Sequence, residues 1–271
     1  MEENYELDFD LLIKAAIEIG NRLDGQKNPT ERETLVFAEG LGQKIIHHTL
    51  SVRRLFEGYQ LATDKHLFVK QVDFASIAIL TRAALETYLT LNYVFVSTQN
   101  VDELEFRFKC WHLAGFLDRA DFDPKEEEHI KLKDSEKQAT DKIKLEIQRL
   151  PFFNTLSKKK KDQALKGFWR LDNPWVNLAK QSGFSEPFFR QQYKFLCGYA
   201  HSSRLSIIQI QQSKELEQQK EMAKASISVL MVVLAKFMYD YIQLIPELKA
   251  VEKDLEAFPM ISIWKMVGEN L

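Results

Sequence analysis

Apolar residues recur along most of the chain at intervals of three and four, the period of an α-helix, while the strict alternation of a half-buried strand is scarce. Only 10 glycines and 7 prolines punctuate this pattern. It predicts helices at about 7–23, 31–62, 70–97, 100–120, 124–149, 186–201 and 214–245, with shorter ones between 157 and 182 and after 247. Several ends carry their own signals. Gly25, Asn28 and Pro29 stop one helix, and Thr30 with Glu33 three residues on forms a capping box for the next. Asp123 before Pro124 and three glutamates predicts a helix start, as do Ser185 and Pro187; Pro246 predicts the end of the long carboxy-terminal helix.

No internal repeat or low-complexity linker interrupts the chain. The pattern therefore predicts an all-α fold, a single helical bundle over residues 1–271 with its core at about 35–240. A polar excursion at about 121–167 is mostly charged, with a thin apolar stripe through Ile130, Ile143, Leu145, Ile147 and Leu150. That composition describes a partly exposed helix leaning on the bundle.

The chain's 271 residues, 45% of them hydrophobic, suffice for a sizeable core, arranged as one domain or as two tightly packed halves. Lys plus Arg (37) nearly balance Asp plus Glu (39), for a formal charge of -2, so no global basic field draws the chain to nucleic acid or anionic lipid. Cys110 and Cys197 lie far apart without metal-type spacing, and the acidic amino terminus is unlike a signal peptide. Both features predict a cytoplasmic location. Residues 76–96 and 225–245 are long enough to span a bilayer, but Arg82 and Glu86 in the first and Lys236 and Asp240 in the second would each cost roughly 2.5–3.5 kcal/mol at its centre. Buried helices, with no membrane partner, are the expectation.

Three stretches carry candidate chemistry. Arg82 and Glu86 stand four apart in an otherwise apolar helix and share one face, continued by Thr90 and Tyr93. They form an intrahelical ion pair that fixes packing, or they line a cleft or dimer seam where Arg82 presents its fork to an anion. Lys158, Lys159, Lys160 and Lys161 follow a capping serine and form a solvated turn or a phosphate-binding patch, with no alternating aromatic pattern beside them. In "YKFLCGYAHSS", Tyr193, Cys197 and His201 follow at steps of four, and Gly198 signals a close approach by another segment. His201 then caps the final carbonyls of its helix or serves as a proton carrier. His47 and His48 are adjacent and face different sides of a helix, so no metal site is expected, and no phosphate-loop, dinucleotide, zinc-protease or serine-hydrolase motif occurs.

"RAALETYLTLNYVF", "WRLDNPWVNLAKQSGF" and "YKFLCGYAHSSRLS" resemble a group of uncharacterised bacterial all-helical proteins related to the HEPN superfamily, over roughly residues 35–240. The resemblance implies a HEPN-like core with extra peripheral helices, a homodimer, and a setting in toxin–antitoxin or phage-defence systems with an antitoxin or defence partner protein. Active HEPN members cut RNA without metal or cofactor, using an arginine separated from the histidine by four to six intervening residues. Here Lys194 takes the longest such spacing and Phe195 replaces the usual polar neighbour, so the standard motif is absent, while Arg82 or Arg204 could approach His201 in the fold. The resemblance implies a metal-independent endoribonuclease with His201, Lys194, Arg82 and Glu86 at its centre and Arg204 with Lys158–Lys161 on the RNA. A noncatalytic interaction module binding a partner protein or small ligand through the same cleft is the alternative.

Overall fold

The helical periodicity is realised almost throughout a computed structural model of the chain, which describes residues 5–22, 33–60, 62–63, 66–67, 70–249 and 254–270. Twelve of its helices need labels: α1 (Tyr5–Asn21), α2 (Glu33–Phe56), α3 (Phe74–Leu91), α4 (Val101–Ala120), α5 (Glu127–Arg149), α6 (Pro151–Thr155), α7 (Lys158–Leu165), α8 (Trp175–Gln181), α9 (Glu186–Ala200), α10 (Arg204–Gln212), α11 (Leu216–Leu244) and α12 (Phe258–Asn270). The predicted all-α class is therefore correct. The turn at 24–33 with its capping box lies outside the described residues, apart from the backbone of Glu33.

The chain divides into two compact units, residues 1–91 with 179–271 and residues 92–178. In the first, α3 packs against α2, α9 and α11, and α11 also packs against α12, α1 and α2. Residues Val229 to Met238 are all buried, a run of nearly three turns that leaves no solvent face. Phe74–Val96 and α11 are long and apolar enough to cross a membrane by length and composition, yet much of each is covered by protein.

Three boundaries depart from the periodicity, each for a local reason. The second helix stops at Phe56 rather than 62 because Gly58 adopts φ +80°, where a Cβ would meet the Gln71 carbonyl at 2.8 Å. Tyr59 and Gln71 then exchange backbone hydrogen bonds at 2.8 and 2.9 Å, and a two-residue hairpin pairs Ala62 with Leu67 and Thr63 with His66. The third helix begins at Phe74 rather than 70 because Asp73 caps it, accepting from the Ser76 amide (2.9 Å) and hydroxyl (2.6 Å). The fifth begins at Glu127 rather than 124, so Pro124 belongs to the six-residue connection after α4, and Glu126 supplies the cap position. Pro246 does end α11, which stops at Leu244.

In the second unit, α3 has given way to a π-helical turn, Asn92–Val96. A π turn leaves backbone groups out of step with the helical ladder. Arg107, 11% exposed, repairs this by donating to the Tyr93 carbonyl (2.6 Å) and Ser97 hydroxyl (3.1 Å) while paired with Glu103 at 2.5 Å. The core of this unit comprises Phe106, Cys110, Leu113, Ile147, Phe153 and Ala164. Of the expected stripe, Ile147 is fully buried and Ile143 and Leu150 pack against the core, but Ile130 and Leu145 are exposed. They lie on faces of α5 that its short contacts with α4 and α6 leave open.

Candidate functional site

The stretch from Cys197 to Ser206 is one continuous device for ending α9, presenting His201 and starting α10. His201 is the C-cap of α9, and its amide donates to the Cys197 carbonyl at 3.0 Å. Ser202 follows in the left-handed region (φ 51°), and the amides of Ser202 and Ser203 donate to the carbonyls of Tyr199 (3.4 Å) and Gly198 (2.8 Å). This is a Schellman closure with serine where glycine is usual. Gly198 has the close neighbour its type implied: a Cβ there would sit 3.1 Å from the Ser203 hydroxyl oxygen. Ser203 then caps α10 by accepting from the Ser206 amide at 3.2 Å. Periodicity alone did not reveal α10, because its N-cap is shared with the preceding closure.

At the contact between α3 and α9, the two stretches singled out in the sequence meet. Arg82 Nε donates to Glu86 Oε1 at 2.9 Å, one terminal nitrogen donates to the Tyr193 hydroxyl at 3.5 Å, and the other lies 3.1 Å from His201 Nε2. Tyr193 closes the ring by donating to Glu86 Oε1 at 2.7 Å. A guanidinium only donates, so His201 Nε2 must accept, which puts the ring proton on Nδ1. The imidazole itself is exposed, whereas Arg82 and Glu86 keep only 20% and 27% of their side-chain surface in solvent.

The supporting contacts fix these atoms. Tyr193 stacks on buried Phe189 with ring centres 5.1 Å apart, and the Arg82 carbon lies 5.4 Å from the Tyr193 ring centre. Burial, then the hydrogen bond to Glu86, raises the Tyr193 pKa above the ordinary phenol value, so Tyr193 stays a donor. Burial opposes the charge on Arg82, but the Tyr193 hydroxyl and the Glu86 carboxylate outweigh it and hold the guanidinium pKa above its usual value. The result is a preorganised cation with an exposed imidazole on its edge, suited to receiving an anion and moving a proton.

Of the predicted catalytic residues, Arg82, Glu86 and His201 are thus together, and Tyr193, read in the sequence only as part of His201's face, joins them. Lys194 is exposed and no hydrogen bond or ion pair ties it to the cluster among the described residues; it stands seven positions before His201, about 10 Å of helix rise. Arg204 is the exposed first residue of α10. Lys158–Lys161 begin α7 in the other unit, where Ser157 accepts from the Lys160 amide as the sequence led one to expect. Among the described residues no group of three or more His, Cys, Asp or Glu could hold a metal ion. His47 and His48 differ in exposure, as adjacent helical positions do.

The model of one family, described as a family of unknown function (DUF5677), matches residues 45–220, a span that contains every member of the cluster. No curated protein and no solved structure matches the chain.

Proposed function

The chain belongs to a family of unknown function, DUF5677, and from its own side chains we propose that it is a metal-independent endoribonuclease centred on His201. The observation that carries this reading is the 3.1 Å approach of the Arg82 guanidinium to an exposed imidazole, between two segments more than a hundred residues apart in sequence. An incoming phosphodiester draws the Arg82 donor edge to its oxygens and frees Nε2. His201 then takes the proton of the RNA 2′-hydroxyl, the 2′-oxygen bonds to phosphorus, and the bond to the 5′-oxygen breaks. The imidazolium returns the proton to that oxygen, which leaves a 2′,3′-cyclic phosphate and a 5′-hydroxyl end. Glu86 and Tyr193 position Arg82, whose charge stabilises the phosphorane-like state. In this reading the protein is HEPN-related and acts in the bacterial cytoplasm as a homodimeric toxin or phage-defence effector, alongside an antitoxin or defence partner.

The closed ring of Arg82, Glu86 and Tyr193 favours a second reading, in which the same residues clamp α3 to α9 in a noncatalytic module that binds a partner protein or small ligand. Incubation of purified protein with varied RNAs in EDTA separates the two. Cyclic-phosphate products that fall about a hundredfold to ten-thousandfold in His201→Ala, at an unchanged melting temperature, support the nuclease. Absence of cleavage, or equal cleavage by the alanine variant, leaves the interaction module.

A further inference from the structure

We propose that the second unit binds single-stranded nucleic acid on the surface formed by α7 and the loop that follows it, Lys166 to Pro174. This goes beyond the reading of His201 and does not depend on cleavage. Residues 157–174 hold six cations and two carboxylates, a local charge of +4 within a chain of -2. Lys158 and Lys160 are exposed. Lys159 is spent on Asp172, at 2.6 Å, which ties α7 to the loop, and Lys161 leans over the Phe153 ring at 5.3 Å.

The Lys159–Asp172 pair ties to the start of α7 a loop that carries Phe168 and Trp169, a connection the linear order of residues did not disclose. Gly167 adopts φ +81° against Leu117, and Leu171 and Asp172 adopt φ 51° and 60°. Three left-handed residues in six curl the backbone around a cavity of about 330 Å³ lined by Gly167 to Pro174, a size within the range of small-ligand pockets. Phe168 stands 60% exposed at its wall. The Arg170 guanidinium carbon lies over Trp175, 4.3 Å from its ring centre, and 5.7 Å from that of Trp169. The two indoles hold the guanidinium by cation–π contact, and among the described residues its N–H groups have no acceptor. A planar fork without an acceptor, two exposed lysines and an exposed ring together match a backbone phosphate next to an unstacked base. A duplex offers the phosphates but hides its base faces, and an acidic peptide leaves the ring without a partner.

The test is fluorescence anisotropy of labelled oligouridylate, about 20 nucleotides long, against the full chain in EDTA with His201→Ala to prevent cleavage. Binding is expected with a slope of log affinity against log salt of about −2, from Lys158, Lys160 and Arg170. Phe168→Ala should weaken it about fivefold to a hundredfold, the cost of one lost stacked base, with no change in melting temperature because the ring is exposed. Lys158→Ala with Lys160→Ala should flatten the slope by about 1.4. No binding at about 50 mM salt, equal affinity for a duplex of the same sequence, or wild-type affinity in Phe168→Ala overturns the proposal. A chain that cleaves a dinucleotide but does not bind the oligonucleotide overturns this surface and leaves the His201 reading intact; one that binds but never cleaves does the reverse.

Discussion

Glu269→Gln is expected to destabilise the first unit through a lysine that no longer has its counter-charge. Lys236 sits in the last third of α11 with 3% of its side chain exposed; its ammonium lies 3.1 Å from Glu269 Oε1 and 5.1 Å from the Phe184 ring centre. Glu269 also holds Lys265 at 2.9 Å, so one carboxylate on α12 neutralises two lysines. Removing one partner of a buried pair costs about 3–5 kcal/mol; Glu269 is 29% exposed, so the low end, about 3 kcal/mol, applies. At about 2–4 °C per kcal/mol for a chain of this size, the melting temperature should fall by about 6–12 °C. In a Lys236→Met background the same substitution should cost less than about 1 kcal/mol, giving a coupling of about 2 kcal/mol. Acidity supplies a second check. Burial lowers the Lys236 pKa against the opposing pull of Glu269, so between that depressed value and the usual lysine range the unfolded chain holds more protons than the folded one. Stability contributed by Lys236 therefore rises with pH, and the deficit of Glu269→Gln should narrow as pH rises from neutral toward the usual lysine range. An equal cost with and without Lys236, or a deficit that is flat in pH, would refute this account of how α12 is held.

Ser202→Gly relieves a left-handed serine and should raise stability by about 1 kcal/mol, read as a higher melting temperature, without altering α9 or α10. Arg107→Met leaves Glu103, 8% exposed, and the Tyr93 carbonyl with fewer partners beside the π turn, and should cost about 3–5 kcal/mol by urea denaturation. Stability should also decline on acidification below the usual glutamate range. Hydrogen bonding to Lys109 holds the Glu146 pKa down, and Lys265 and Lys236 outweigh burial to do the same at Glu269, so both contribute stability that is lost as pH falls through their folded-state values. Light scattering at tens of micromolar should give twice the chain mass of 31.7 kDa; a strict monomer would remove a site shared between protomers.

How much of this was legible in the sequence depends on the range of the force involved. Long buried helices were readable because α11 and α3 repeat apolar residues over many turns: α11 appears within two residues of its expected limits, and α3 together with its π-helical continuation to Val96 within four. Half of the candidate site was readable for the same reason, since Arg82 and Glu86 share a face at four residues' spacing, and so do Tyr193 and His201 at eight. That these two faces meet was not readable, because it depends on how α3 packs against α9, a contact between segments about a hundred residues apart. The missed boundaries were set by single residues acting through backbone geometry, namely Gly58 at positive φ and Asp73 as a cap, which periodicity over a window cannot register.

The same distinction explains why the lysine run looked poor in aromatics. In linear order, Lys158–Lys161 precede Phe168, Trp169 and Trp175 by several residues, with α7 between. A straight continuation would have carried the rings away from the lysines. Instead Gly167 turns the chain at the end of α7, Leu171 and Asp172 turn it again, and the Lys159–Asp172 pair fastens the loop to the start of α7. Water screens an exposed pair of this kind, so it cannot on its own hold three left-handed residues in place. The edge-to-face pair of Trp169 and Trp175, with the Arg170 guanidinium over Trp175, adds apolar and cation–π contact to it, and the Arg170 N–H groups, without an acceptor among the described residues, remain for a ligand.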